Sequence, residues 1–145
     1  VTVGRHGEAA LIEAMTARVV HRPSPEGPGD DGAIVPAGAA RALTTDALVE
    51  GVHFLRSHPA AWLGHKALAV NLSDLAAMGA RPEAFTVSAA LPAALPLAVW
   101  EALADGMGEL ARAAGCYLAG GDVVRSSGPL VLSLTAWGPL AGRPR

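Results

Sequence analysis

The sequence has one lysine, Lys66, and one cysteine, Cys116. A single thiol excludes an internal disulfide framework and suits a reducing compartment. Lysine and arginine form no run, and the formal net charge is -2 over 145 residues, so no nucleic-acid partner is expected. No stretch of 18 or more uncharged apolar residues exists, and there is no secretory signal pattern. These absences predict no membrane span and a cytoplasmic location. Neither a cysteine pair nor an H-E-x-x-H is present to hold zinc. A Walker A loop is also missing, because the only lysine follows His65 rather than glycine.

Two literal matches to a dinucleotide motif fail on context. GPGDDG at 27–32 has no strand before it and no helix after it, and its aspartates would repel a bare pyrophosphate. GMGELA at 106–111 lies inside a helical pattern.

Hydrophobic residues make up 51% of the chain, enough for one domain that buries roughly 70% of its unfolded surface. Residues 8–20 place Leu11, Ile12, Met15 and Val19 on one face of an amphipathic helix. Residues 22–32 are dense in proline and glycine and form a loop. A strand is expected over 42–49. A helix follows over 59–79, with Pro59 near its first turn. The alternation of Val87, Ala89 and Leu91 marks a strand over 84–91. A helix over 96–114 closes at Gly115. A short strand at 116–119 runs into GGD, and a last strand spans 130–137. This order predicts an α/β fold (α+β in the broader sense), a mixed sheet covered by helices. Residues 1–138 form the expected domain, and 139–145 read as the start of a linker to a carboxy-terminal domain.

The aspartates carry the chemistry. There are six, at 30, 31, 46, 74, 105 and 122. Asp30 and Asp31 lie in the Gly/Pro loop, Asp46 follows Thr44 and Thr45, and Asp122 follows Gly120 and Gly121 at an expected strand end. Asp74 falls in AVNLSDLAAMGA (69–80), which has no wet face on a helical wheel and reads as buried. Asn71 shares its face. A buried, unpaired carboxylate costs several kcal/mol, and two carboxylates ~5 Å apart repel by roughly 3 kcal/mol at an effective dielectric of 20. A tertiary salt bridge would answer the first problem. A divalent cation answers both, and an all-oxygen set of aspartates and threonines suits Mg²⁺.

GDDGAIV (29–35), TTDALVEGVHF (44–54), KALAVNLSDLAAMGARP (66–82) and GGDVVRS (120–126) occur in this order and spacing. Together they resemble the thiamine-monophosphate kinase family, over nearly the whole chain but only the amino-terminal half of that enzyme. The resemblance implies a fold like the amino-terminal domain of aminoimidazole ribonucleotide synthetase, paired into a β-barrel in a homodimer. It implies transfer of the γ-phosphoryl of ATP to thiamine monophosphate, assisted by several Mg²⁺ ions and without a covalent nucleophile. Carried over, Asp31, Thr44, Thr45, Asp46, Asp74 and Asp122 would be metal ligands. Gly121 and Asp122 would approach the nucleotide, and His53 would meet the substrate. Asp30, Asn71, Arg125 and Lys66 are secondary candidates: Arg125 either contacts phosphate or solvates a loop, and Lys66 either reaches phosphate or lies on the surface. One departure is Val123-Val124, where the family usually has two threonines. Two other readings stay open: another ATP-using member of the superfamily, and a non-catalytic nucleotide-binding or dimerisation module. His21, His58 and His65 give no constellation, and Cys116 reads as an inert core thiol.

Overall fold

The computed structural model describes residues 1–23, 26–28, 35 and 38–141. A short 3₁₀ turn at Val3–Arg5 precedes helix α1 (Glu8–Thr16), strand β1 (Arg41–Val49), helix α2 (Ala60–Ala77), strand β2 (Ala84–Pro92), helix α3 (Leu97–Ala114), and strands β3 (Tyr117–Ser126) and β4 (Val131–Pro139). The expected order of elements is therefore the observed one.

The strands form one mixed sheet in the order β1-β4-β2-β3. β4 runs antiparallel to both β1 and β2, while β3 runs parallel to β2, reached through α3. Alternation decides which face goes inward. Phe85, Val87, Ala89 and Leu91 of β2 and Leu132, Leu134 and Ala136 of β4 are buried against the helices. The other face carries Thr86 and Ser88 of β2 and Ser133 and Thr135 of β4, which remain at least partly exposed. The sheet is open, with β1 and β3 as its edges.

α2 and α3 pack closely because each contributes a glycine at the crossing. A Cβ on Gly64 would lie 1.8 Å from the Leu103 carbonyl oxygen, and one on Gly106 would lie 1.8 Å from that of Ala61. Gly106 thus belongs to helix packing, and a Cβ on Gly108 would lie 2.2 Å from the Arg18 carbonyl oxygen, consistent with rejecting both as a nucleotide motif. α3 ends on Gly115 in the left-handed conformation at φ 70°. Trp100 of α3 is fully buried and donates from Nε1 to the Leu11 carbonyl at 3.0 Å, fastening α1 to the core.

Four expectations need correction. α1 stops at Thr16 rather than residue 20. The Thr16 hydroxyl bonds back to the Ile12 carbonyl at 3.0 Å, and β-branched Val19 and Val20 leave the helix so that the Val20 carbonyl accepts from Leu118 N–H. β3 does not end before GGD but continues to Ser126, so Asp122 lies within the strand. β4 runs to Pro139, and the amides of Leu140 and Ala141 still donate to Ala40 and Gly79; the packed unit thus extends past residue 138. Lastly, α2 is not buried all round. Leu63, Ala67, Leu68, Asn71 and Leu75 face inward, whereas Trp62, Ser73, Asp74 and Met78 are exposed. Its outer face is apolar by composition but solvated, and Asp74 is not a buried charge.

Candidate functional site

Strand geometry sends the two threonines of TTD to opposite faces. Thr44 and Asp46 point to the helix side with Ala42 and Leu48, and Thr45 points to the open face. Thr44 Oγ1 donates to Asp74 Oδ2 at 2.9 Å. Thr45 Oγ1 donates to the Leu134 carbonyl at 3.0 Å and accepts from Thr135 Oγ1 at 3.0 Å. The structure thus unites the TTD and NLSD motifs at the meeting of β1 with α2. Asn71, one turn before Asp74, is fully buried: its Nδ2 donates to the Ala67 carbonyl at 3.1 Å, while its Oδ1 has no partner among the described residues.

Among the described residues no three His, Cys, Asp or Glu side chains stand close enough to hold a metal. The donor set at β1 and α2 is nonetheless of one chemical kind. Thr44, Asp46 and Asp74 offer hard oxygens with no nitrogen or sulfur between them, which fits Mg²⁺. Asp30 and Asp31 lie outside the described residues.

Asp122 is elsewhere. It is exposed on β3 and registers with Ser88 of β2, on the open face. The sheet order puts β4 and β2 between it and β1, a separation of about 14 Å at three strand spacings. One chain therefore does not bring Asp122 to Asp46 and Asp74. The glycine before it has a packing reason: a Cβ on Gly121 would lie 2.0 Å from the Val87 carbonyl oxygen.

His53 sits in the exposed turn between β1 and α2. Its amide donates to the Val49 carbonyl at 2.9 Å, and its Nδ1 accepts from the Val49 amide at 3.0 Å. Accepting at Nδ1 puts the proton of the neutral ring on Nε2. Lys66 does not lie free on the surface: Nζ donates to the His53 carbonyl at 2.8 Å and lies 5.4 Å from the Trp62 ring centre. Glu50, which sequence reading missed, braces the same turn. It accepts from Arg56 Nε at 2.8 Å and from the Leu130 amide at 2.9 Å. The Arg56 hydrogen bond, joined by the Leu130 amide and outweighing burial, holds its carboxyl below the usual glutamate range. Its signal in the sequence was an arginine six residues later across a glycine turn.

Arg125 donates to the Gly4 carbonyl at 3.0 Å. It borders a cleft of about 310 Å³ shared with His6, Glu8, Leu11 and Leu91, away from the aspartates of β1 and α2. Cys116 is buried, and burial pushes its thiol up to about 11, as an inert core thiol should behave. His21 and His65 are exposed, and His58 packs edge-on against Trp62 at 5.1 Å.

The model of the family "AIR synthase related protein, N-terminal domain" matches residues 29–140. A thiamine-monophosphate kinase of Mycobacterium tuberculosis is 43% identical over 146 residues, covering 98% of this chain and 43% of the relative. That of Bacillus subtilis is 39% identical over 137 residues, covering 92% and 42%. The chain thus spans less than half the length of these curated relatives. Among solved structures, the thiamine-monophosphate kinase of Stenotrophomonas maltophilia K279a superposes with a TM-score of 0.72 at 44% identity, covering 89% of this chain and 41% of that one. AaThiL complexed with AMPPCP and TMP superposes at 0.66 with 36% identity, over 68% and 31%. A hydrogenase maturation protein HypE reaches 0.77 at 21% identity, a likeness of fold alone.

Proposed function

Because the chain belongs to the AIR synthase related protein, N-terminal domain, family, we propose that it is the nucleotide- and metal-binding part of a thiamine-monophosphate kinase. The reaction would move the γ-phosphoryl of ATP onto thiamine monophosphate, giving thiamine diphosphate and ADP. The observation that carries this reading is the Thr44–Asp74 hydrogen bond. It joins two sequence-distant motifs into one patch of hard oxygen donors. The relatives at about 40% identity and the neighbour holding AMPPCP and TMP support this choice of substrates over those of other superfamily members.

Asp46 and Asp74 would hold Mg²⁺, with Thr44 keeping Asp74 turned toward β1. When bound, Mg²⁺ supplies charge neutralisation for the triphosphate and the acceptor phosphate. The acceptor oxygen belongs to a phosphate monoester, already largely anionic near neutral pH, so no general base is needed. The chain's remaining task is positioning. Nε2–H of His53 would donate to the phosphate of thiamine monophosphate.

Asp122 enters this scheme through a second copy. Among the described residues, both edges of the sheet lack a neighbouring strand beyond the bridge from His21 to Leu118. A homodimer that closes edge to edge sets β3 of one protomer beside β1 of its partner. Asp122 then lies beside the partner's Thr45 on the open face and Gly121 beside the partner's Asp46 on the helix side, so each site would take residues from both chains. This would also cover the Thr and Ser face of the sheet.

The test is calorimetric titration of the chain with a non-hydrolysable ATP analogue, with Mg²⁺ and then with chelator. Magnesium-dependent binding is expected. Equal binding with and without chelator would overturn the assignment of the aspartates.

A further inference from the structure

We propose that Lys66, the chain's one lysine, is a positioning residue for His53, fixing the imidazole that meets the substrate phosphate. The proposal rests on the substrate role given to His53 above. Every polar group of His53 except one is already committed. Its amide donates to the Val49 carbonyl, its Nδ1 accepts from the Val49 amide, and its carbonyl accepts from Lys66 Nζ at 2.8 Å. Among the described residues Nε2 is left without a partner, and it carries the proton of the neutral ring.

The lysine reaches His53 from α2. Trp62 lies one turn earlier on the same helix, and its ring sits 5.4 Å from Nζ, so the ammonium has an aromatic face beside it as well as an acceptor in front of it. On the other side Trp62 meets the edge of His58, whose Nδ1 accepts from the Leu55 amide at 3.3 Å. The turn is thus gripped at His53 and at His58 from one helix, and at Glu50 by Arg56. Holding a long, flexible lysine in one place costs side-chain entropy. A charge-assisted bond to a single exposed carbonyl is a poor return unless the position of that residue matters.

The deciding experiment is long-range ¹H–¹⁵N NMR of the His53 ring in the chain and in Lys66→Met and Lys66→Arg. Methionine keeps the stem over Trp62 and loses the donor; arginine keeps a donor. In the unmodified chain Nδ1 should show the shift of an acceptor nitrogen and Nε2 that of an N–H. In Lys66→Met the two shifts should converge toward an exchange average, and in Lys66→Arg they should stay apart. A ring unchanged by Lys66→Met overturns the proposal. So does weaker thiamine monophosphate binding with the His53 ring unmoved, because lysine would then be acting as a direct ligand. With positioning intact, Lys66→Met should weaken that binding about tenfold, the scale of one hydrogen bond to a charged group, and Lys66→Arg should restore it. His53→Gln tests the underlying reading separately: unaltered thiamine monophosphate affinity there would remove His53 from the substrate site and leave the NMR result standing.

Discussion

Thr44 Oγ1 donates to Asp74 Oδ2 over 2.9 Å between residues 30 apart in sequence. That bond ties the first strand to the second helix at a point where both are accessible to water. It accounts for an aspartate on an apolar helix by an address rather than by burial: Asp74 is held toward β1 by a neutral donor.

Replacing Asp74 with asparagine should therefore leave the fold standing. An exposed substitution of this kind shifts stability by only about 0.5 kcal/mol, while Mg²⁺-dependent nucleotide binding should disappear. Thr44→Val should cost about 1 kcal/mol or less and weaken binding without abolishing it. Urea unfolding beside calorimetric titration reads both quantities. Unchanged nucleotide affinity in Asp74→Asn would take Asp74 out of the metal set.

Mixed dimers offer a sharper test of the proposed sharing of one site between two protomers. Asp74→Asn and Asp122→Asn homodimers would each lack both sites. Mixing them gives a hybrid in which one site takes both damaged residues and the other takes neither. With random exchange between two-fold dimers, about a quarter of all sites should recover. No recovery on mixing would place Asp122 and Asp74 in the same chain's site or in unrelated ones.

Acid should loosen the turn that carries His53. The Glu50 carboxyl is held below its ordinary value, first by Arg56. A depressed folded value means that its stabilisation is present above about pH 4.3, the unfolded glutamate value, and is lost as pH falls through the lower folded one. The side chain of Arg56 is 40% exposed, so the whole effect should stay under about 1 kcal/mol. Hydrogen exchange of the Leu130 amide, which donates to Glu50, should accelerate relative to neighbouring strand amides as the group protonates. Glu50→Gln should remove that pH dependence.

The two glycines before Asp122 should respond oppositely to alanine. A Cβ at Gly121 strikes the Val87 carbonyl, whereas one at Gly120 meets nothing within 4 Å. Gly121→Ala should destabilise by about 3 kcal/mol through forced separation of β2 and β3. Gly120→Ala should be neutral or stabilising by about 0.5 kcal/mol. Thermal melts of both variants suffice, and equal losses would contradict the close approach.

Periodicity made every long helix and strand legible, because core faces repeat at 3.6 or 2 residues. Burial of Asp74 was misread for a physical reason: Ala61, Trp62, Ala76, Ala77 and Met78 give α2 an apolar outer face that composition cannot tell from a core face. GGD suggested a strand end because glycine is rare within strands; only the Val87 carbonyl shows why Gly121 belongs inside one. The aspartates were picked out by residue type, but their distribution over two sheet edges depends on strand order, which local patterning does not encode. Glu50 went unnoticed because its partner lies across a turn.

The position of β4 has a consequence for the order in which the protein can be built. It is the last strand of the sheet in sequence yet lies between β1 and β2, pairing Arg41 with Pro139 and Ala84 with Trp137. During synthesis, β1 must wait with its ladder unfilled while two helices and two strands emerge. Until β4 inserts, β1 and β2 share no strand and Asp46 has no fixed relation to β3. Contacts of such long sequence separation form late and at high entropic cost. A nascent chain that stalls before Val131 would present two bare strand edges, open to pairing with another chain.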